Sequence, residues 1–212
     1  MKVEMGESLF YSWLRHVKKC QIVQTNWKAS SQWWLQHQKV CEDLMHASEK
    51  FFHDKYGYRI YKKNNSLPQL LKQGEIDVLG IAVQDSGYRI YAVDVAFHEG
   101  GLNYGNREKT VTTVIKKWLR TAMCLYGYFN VKEADIIFAS PKITICSIRD
   151  LTPCLADILS LLHEHGFAFT VRLLANNEFE DDVLKPILLA SKGISDSSEL
   201  FLRSYQLWKM FS

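Results

Sequence analysis

Two acidic residues interrupt apolar segments in the first half of the chain. Asp77 lies within residues 74–83, Asp94 lies within residues 88–99, and the polar residues 85–87 separate the two segments. A carboxylate among apolar strand residues is costly unless it is paired, hydrogen-bonded or bound to a cation. Carboxylate oxygens with open coordination positions suit Mg²⁺ or Mn²⁺, which retain waters and hold phosphates. These acids are therefore candidates for a metal site that acts on phosphate esters.

The two segments have the composition of paired strands. Both are short and rich in β-branched and aromatic residues, and residues 85–87 can form a tight turn. The pattern therefore predicts an antiparallel hairpin. Because strand side chains alternate between faces, Glu75 and Asp77 share one face of the first strand, and Asp94 shares a face of the second strand with His98. Two or three carboxylates can thus converge on one side of the hairpin.

An ion pair is the alternative to a metal at these acids. Lys72, Arg89 and Arg107 are cations that could neutralise carboxylates near the strand ends. Structural ion pairs also place charges in strands, so either interpretation accounts for one isolated acid. The presence of several acids on one hairpin favours the metal.

The segments at residues 74–78 and 94–96 resemble the PD-(D/E)XK nuclease superfamily, whose restriction-endonuclease-like fold is shared by restriction enzymes, Holliday-junction resolvases and many repair nucleases. In that family the first acid opens the second core strand, and a (D/E)-x-K triplet lies on the third. The resemblance implies that Asp77 is the first acid and Asp94 the second. It further implies a metal-dependent endonuclease, in which Mg²⁺ or Mn²⁺ polarises a DNA phosphodiester and lowers the pKa of an attacking water.

Ala96 occupies the place of the family's lysine, which normally helps to orient or activate the attacking water. His98, two residues further along the same face, and Lys109, at the start of the next predicted helix, are the candidate substitutes. Ala96 also favours an alternative function, that of a catalytically inactive protein of nuclease fold that binds nucleic acid or a protein partner. The intact acids Asp77 and Asp94 oppose this alternative, because a binding module gains nothing from unpaired carboxylates that face a polyanion.

A long helix is predicted at residues 30–55, with serines at its start as a cap. Glu42, His46 and Glu49 are spaced at i, i+4 and i+7 and therefore lie on one face of that helix. In the resembled family a glutamate from the helix before the first core strand often joins the metal site. The resemblance thus implies that Glu42 or Glu49 is a further metal ligand, with Glu49 also in the catalytic set, and the spacing does not choose between them.

The remaining pattern predicts an α/β protein with a restriction endonuclease-like αβββαβ core, in which helices flank a central mixed sheet. Residues 1–212 are expected to form one domain with its core at about residues 30–174. Further helices at residues 7–20 and 178–211 are expected to pack on that core. The predicted core elements after the long helix are a first strand at 58–61, the two hairpin strands, a helix at 107–128, a strand at 134–140, a helix at 151–165 and a strand at 167–174.

Composition restricts the class of protein and of partner. With 47% hydrophobic and 23% charged residues, the sequence is that of an ordinary soluble globular protein. No apolar run approaches the length of a membrane span, and the first residues lack the pattern of a secretory signal, so we expect a cytoplasmic protein without membrane contact. Five scattered cysteines are expected to be reduced thiols.

The expected partner is nucleic acid, and the resemblance implies DNA, although the net charge is only +3. Any nucleic-acid surface must therefore be a local patch. The polar loop at residues 62–66 and a row that includes Lys109, Lys116 and Arg120 are the candidate phosphate contacts. A homodimer is a further expectation, because enzymes of this kind that cut both strands are often dimers.

Overall fold

A five-stranded mixed sheet forms the centre of the fold, and the order of its strands follows the sequence. The computed structural model describes residues 4–62, 66–85, 87–194 and 197–211, so that residues 63–65 of the predicted polar loop and Ser86 of the predicted turn lie outside the described residues. The strands are β1 (Ile22–Trp27), β2 (Ile76–Gln84), β3 (Gly87–Val95), β4 (Asp135–Ser140) and β5 (Thr170–Ala175).

Helices cover both faces of this sheet. They are α1 (Met5–His16), α2 (Gln38–Tyr56), α3 (Leu67–Lys72), α4 (Arg107–Phe129), α5 (Ile145–Glu164), α6 (Asn177–Phe179), α7 (Lys185–Ala190) and α8 (Leu200–Lys209). The π-helical turn Glu180–Leu184 joins α6 to α7. The predicted α/β class, with a central mixed sheet flanked by helices, is confirmed.

The direction of the strands changes along the sheet. β1, β2 and β3 pair in antiparallel fashion, whereas β3 with β4 and β4 with β5 pair in parallel. Each parallel pair needs a long crossover, and α4 and α5 supply these two connections. The site-bearing hairpin is therefore held on one side by β1 and on the other by the parallel half of the sheet.

Alternating side chains divide the core between the two faces of the sheet. On β2, Leu79 and Ile81 pack with α2, α3, α4 and α5, while Val78 and Ala82 pack with α1 and the carboxy-terminal helices. Period-two alternation is what a strand between two apolar layers requires. Full burial of one large apolar side chain contributes about 1.5–3 kcal/mol, so both layers hold the hairpin in place.

The predicted hairpin is confirmed, with shorter strands than the sequence suggested. Val78 pairs with Val93 in antiparallel register. β2 begins at Ile76 and β3 ends at Val95, so Glu75 and His98 lie beyond the paired residues. The predicted helix at 107–128 is also confirmed as α4, and the side chain of its cap accepts a hydrogen bond from the main chain of its first turn.

Residues 58–61 do not form the predicted first strand. Ile60 and Tyr61 are buried apolar residues, as in a strand, but their backbone amides donate hydrogen bonds of 2.9 and 3.1 Å to Glu49 Oε2. A side chain of α2 therefore takes the place of a neighbouring strand. The first strand of the sheet is instead β1.

The helix predicted at residues 30–55 begins later, at Gln38. Ser30 accepts a hydrogen bond from the Gln32 amide at 3.2 Å and so forms a turn rather than a helix cap. His37 has a left-handed backbone with φ of 52°, and its ring stacks on Tyr126 at 4.5 Å. The loop before α2 is thus fixed by contacts to α4, which local sequence patterns do not reveal.

The first and last helices of the described chain pack together on one face of the sheet. Ser8 Oγ accepts a hydrogen bond of 2.8 Å from the Phe201 amide, and His16 Nε2 lies 2.8 Å from Glu199 Oε1. Trp13 is fully buried, and its indole N–H donates to the Asp182 carbonyl at 2.8 Å. None of the described helices combines the length and hydrophobicity needed to cross a membrane.

Substitution of Gly80 by alanine is expected to destabilise the fold, because α1 lies too close to β2 for a Cβ atom at this position. A Cβ at residue 80 would lie 2.9 Å from Cys20 Sγ and 3.0 Å from Leu14 Cδ1. Overpacking of this kind costs about 1–3 kcal/mol in the free energy of unfolding, which urea denaturation measures. Gly100→Ala is the control, since a Cβ there meets no atom within 4 Å; equal effects of both substitutions would contradict the packing argument.

Candidate functional site

Asp77 and Asp94 lie side by side on the central hairpin. Val78 pairs with Val93, so the next residues outward on the two strands, Asp77 and Asp94, are cross-strand neighbours on the same face. That face packs against α4. Asp77 Oδ2 accepts a hydrogen bond of 2.7 Å from the Val95 amide, which fixes the first acid to the end of β3.

A lysine of α4 reaches both acids. Lys117 Nζ lies 2.8 Å from Asp94 Oδ1 and 3.6 Å from Asp77 Oδ2. Thr121, one turn further along the same helix, donates a hydrogen bond of 3.1 Å to Asp94 Oδ2. The Asp94 side chain is only 2% exposed, so both of its oxygens are satisfied by α4 rather than by solvent.

The two acids experience different electrostatic environments. Burial raises the pKa of Asp77 to about 6; Lys117 acts to lower it, and the neighbouring Asp94 carboxylate acts to raise it. For Lys117, burial acts to lower the pKa, but the carboxylates of Asp94 and Asp77 outweigh that effect and raise the pKa above its ordinary value. Lys117 is therefore protonated at neutral pH, and Asp77 titrates close to neutrality.

Further cations border the acid pair. Arg120 Nη2 lies 4.0 Å from Asp94 Oδ1 and donates a hydrogen bond of 3.1 Å to the Glu75 carbonyl. The Glu75 side chain itself turns away to Lys28, at 3.1 Å between Oε2 and Nζ. Glu75 therefore does not join the acid pair, although the sequence placed it on the same face.

The connection between β3 and α4, at residues 96–106, contributes two aromatic rings near the site. His98 packs edge-on against Tyr104, with 5.6 Å between ring centroids. Tyr104 is half-buried, and burial raises the pKa of its hydroxyl while the nearby Lys117 acts to lower it. Tyr104 is thus an electrostatic neighbour of the site, and the predicted substitute His98 contacts that neighbour.

Glu42 and Glu49, the further metal ligands implied by the resemblance, are engaged elsewhere. Glu42 Oε1 accepts a hydrogen bond of 2.7 Å from Gln38, on its own helix. Glu49 holds the amides of Ile60 and Tyr61, as described above. The expectation that one of them completes the site is corrected, because α2 follows the first strand instead of preceding it.

Lys117, and not the predicted substitute Lys109, is the lysine that reaches the acid pair. Lys109 is exposed in the first turn of α4, eight residues and about 12 Å of helix before Lys117. Sequence reasoning missed Lys117 because a lysine is ordinarily assigned to solvent. The available signal was its spacing, three residues after the buried Val114 and four before the buried Thr121, which places it at the edge of the buried stripe.

Glu7 and Asn26 are two more residues near the site that the sequence did not single out. Glu7 lies on α1, the helix directly before β1, and its Oε2 accepts a hydrogen bond of 2.9 Å from Asn26 Nδ2. Asn26 has φ of 54° within β1, and it lies opposite Asp77 because its two neighbours pair with Val78 and Ile76. A left-handed backbone inside a strand interrupts regular pairing, and asparagine adopts it more readily than most residues.

The donor set can be compared with the needs of Mg²⁺ or Mn²⁺. Among the described residues, no group of three or more His, Cys, Asp and Glu side chains is arranged to hold a metal ion. Mg²⁺ commonly takes one or two protein carboxylates and completes its shell with waters and substrate phosphates. Asp77 and Asp94 supply two carboxylates, but both oxygens of Asp94 are already bonded to Lys117 and Thr121. Glu7, which acts on the pKa of Asp77, adds negative charge nearby.

Comparisons with protein-family models, with curated proteins and with solved structures found no match. The site itself consists of two adjacent carboxylates, a protonated lysine of α4 that lies near both of them, and a further cation, Arg120, at their border.

Replacement of Lys117 by methionine is expected to destabilise the protein by about 3–5 kcal/mol, because it leaves a buried carboxylate without its cation. Lys109→Met is the control on the same helix and should change the free energy of unfolding by less than about 0.5 kcal/mol. Chemical denaturation at pH 7 measures both. The combination Asp94→Asn with Lys117→Met should recover part of the loss; equal losses in the Lys109 and Lys117 variants would refute the ion pair.

Asp77→Asn is expected to change how stability depends on pH. The folded pKa of Asp77 lies above its unfolded value, so the folded state binds more protons between about pH 4 and pH 6. The wild-type protein should therefore lose stability relative to Asp77→Asn as the pH rises through that window, by on the order of 2–3 kcal/mol. Denaturation curves from pH 4 to pH 8 test this, and a difference that is constant with pH would contradict it.

Proposed function

We propose that the protein is a metal-dependent nuclease that hydrolyses phosphodiester bonds of DNA at the Asp77 and Asp94 pair. One observation carries the proposal: two carboxylates are cross-strand neighbours, and a protonated lysine from the next helix lies within 3.6 Å of both. Carboxylates that hold a divalent ion and an ammonium group that contacts phosphate oxygens are complementary parts of one phosphodiester site.

The topology supports the resemblance to the PD-(D/E)XK superfamily. A helix and three antiparallel strands are followed by a crossover helix and a parallel strand, which is the αβββαβ order, if α2 and α3 are an insertion between the first two strands. Asp77 lies near the start of the second strand, and Asp94 lies near the end of the third. These are the positions that the resemblance gives to the two acids.

Asp77 and Asp94 would hold the metal ion. When bound, Mg²⁺ or Mn²⁺ supplies Lewis-acid stabilisation of the charge that develops on a phosphodiester. Thr121 orients Asp94, and the Val95 amide orients Asp77. Pre-oriented charges of this kind are worth more than mobile ones, because the cost of ordering is already met by folding.

Lys117 would take the role of the family's lysine, whose position in this sequence is occupied by Ala96. Its raised pKa keeps the ammonium group charged, so it stabilises a phosphate or orients a water rather than accepting a proton. The lysine would therefore have an electrostatic role beside the two carboxylates that would hold the metal.

Catalytically inactive binding is the second candidate, and one observation favours it. Lys117 and Thr121 already satisfy both oxygens of Asp94, so the buried acid is accounted for by a structural ion pair. In this alternative the cations around the pair bind nucleic acid or a protein partner without hydrolysis. The raised pKa of Asp77 opposes the alternative, because a purely structural acid would be better paired.

Cleavage of plasmid and branched DNA with Mg²⁺ or Mn²⁺ tests the proposal. Asp77→Asn and Asp94→Asn should each lower the rate at least about a hundredfold, because each removes several kcal/mol of charge stabilisation. Lys117→Arg keeps the charge and should retain more activity than Lys117→Met. Lys109→Ala should cut at the wild-type rate if Lys117 is the relocated lysine.

Folding of every variant is checked by circular dichroism before the rates are compared. Asp77→Asn is the decisive variant, since it keeps a hydrogen-bond acceptor for the Val95 amide and removes a carboxylate that is costly to bury. Metal-dependent cutting that survives in both Asp variants would overturn the proposal. DNA binding by a folded wild-type protein that cuts neither substrate would favour the inactive alternative.

A further inference from the structure

Two cations of α4, Lys117 and Arg120, interact with Asp94, as described above. Lys116 directly precedes Lys117 on the same helix, and Lys62, from the segment after α2, lies near enough for its positive charge to lower the pKa of Lys116. We refer to Lys62, Lys116 and Arg120 as the cation cluster.

Lys62 and Lys116 carry charge that no described carboxylate neutralises. In the part of the chain that the structure describes, neither ammonium group forms an ion pair or a hydrogen bond with a carboxylate. Lys116 is half-buried rather than extended into solvent. An uncompensated cation in that position costs free energy that an exposed lysine would not.

The neighbours of Lys116 make its charge more costly still. Burial lowers the pKa of Lys116, and the positive charges of Arg120, Lys62 and Lys117 lower it further. Like charges that the fold holds close together create a strongly positive local potential. An anion that binds there relieves their repulsion, and the binding groups are already in position before it arrives.

An open cavity adjoins the cluster. It has a volume of about 400 Å³ and is lined by Gly57, Arg59, Lys62 and Glu108. Arg59 and Lys62 contribute positive charge to its lining, while Glu108, from the first turn of α4, is the one acid among the described lining residues. Lys62 belongs to both the cavity and the cation cluster.

From this arrangement we propose that Lys62 and Lys116 bind backbone phosphates of a nucleic-acid strand next to the phosphate held at Asp77 and Asp94. The inference rests on the proposed function, and it assigns the substrate-holding residues beyond the reacting centre. Arg120 joins the two regions, because it lies four residues after Lys116 and also within 4.0 Å of Asp94. A polyanion suits the cluster better than a single phosphate, since the unpaired charges extend from the acid pair to the cavity.

Binding of fluorescent single-stranded and duplex DNA, measured by anisotropy in EDTA across a salt series, tests this inference without cleavage. Each of Lys62→Gln and Lys116→Gln should weaken binding several-fold and reduce the slope of log affinity against log salt by about 0.7–0.9. Lys50→Gln, an exposed lysine of α2, is the matched control and should change neither quantity. The strand type with the larger effect identifies the form of DNA that the cluster holds.

Thermal unfolding without DNA separates binding from damage to the fold. Lys116→Gln removes a repelled charge, so its melting temperature should equal or exceed that of the wild-type protein while its DNA binding falls. Unchanged affinity and salt slope in the double variant of Lys62 and Lys116 would overturn the inference. So would an equal loss of binding in Lys50→Gln.

The two proposals fail in different ways. If the lysine variants lose binding but the wild-type protein cuts no DNA, the cation cluster stands and the nuclease proposal falls. If Asp77→Asn abolishes cutting while the lysine variants bind and cut normally, the nuclease proposal stands and the cluster does not hold the substrate.

Discussion

The buried ion pair between Asp94 and Lys117 is the interaction on which the site depends. A carboxylate that is 2% exposed cannot be left unpaired without a cost of several kcal/mol, so α4 must lie where Lys117 reaches β3. The same helix orientation brings Thr121 to Asp94 and places Lys116 and Arg120 along the border of the site. This electrostatic requirement acts together with the buried apolar stripe of α4 to position the crossover helix, and with it the charges around the acid pair.

The parts of this arrangement that follow a local pattern could be predicted from the sequence. The hairpin could be predicted because alternating apolar residues flank a polar turn, and the common face of Asp77 and Asp94 follows from that alternation. The helix at 107–128 could be predicted because its cap and its buried stripe are both local. These local elements were enough to predict the α/β class and to identify Asp77 and Asp94 as the two central acids.

The parts that depend on distant contacts could not be predicted. Ile60 and Tyr61 have the apolar character of a strand, yet Glu49, eleven residues earlier, takes their amides. The start of α2 is set by His37 against Tyr126, far along the chain. Lys117 is buried only because Asp94 is opposite, and no spacing rule in either segment pairs them. Tertiary partners, rather than weak propensities, account for these differences.

The contact between the first and last helices has a consequence for synthesis of the chain. α1 leaves the ribosome early, but its partners Asp182 and Phe201 lie 169 and 193 positions after the residues they contact. At about 5–20 residues per second, the side of α1 that contacts the carboxy-terminal helices stays uncovered for roughly 10–40 s. The acid-bearing layer, which closes with α5 and β5, can therefore assemble while the opposite face of the sheet is still open. That exposed face is where a nascent chain of this protein would most need a chaperone.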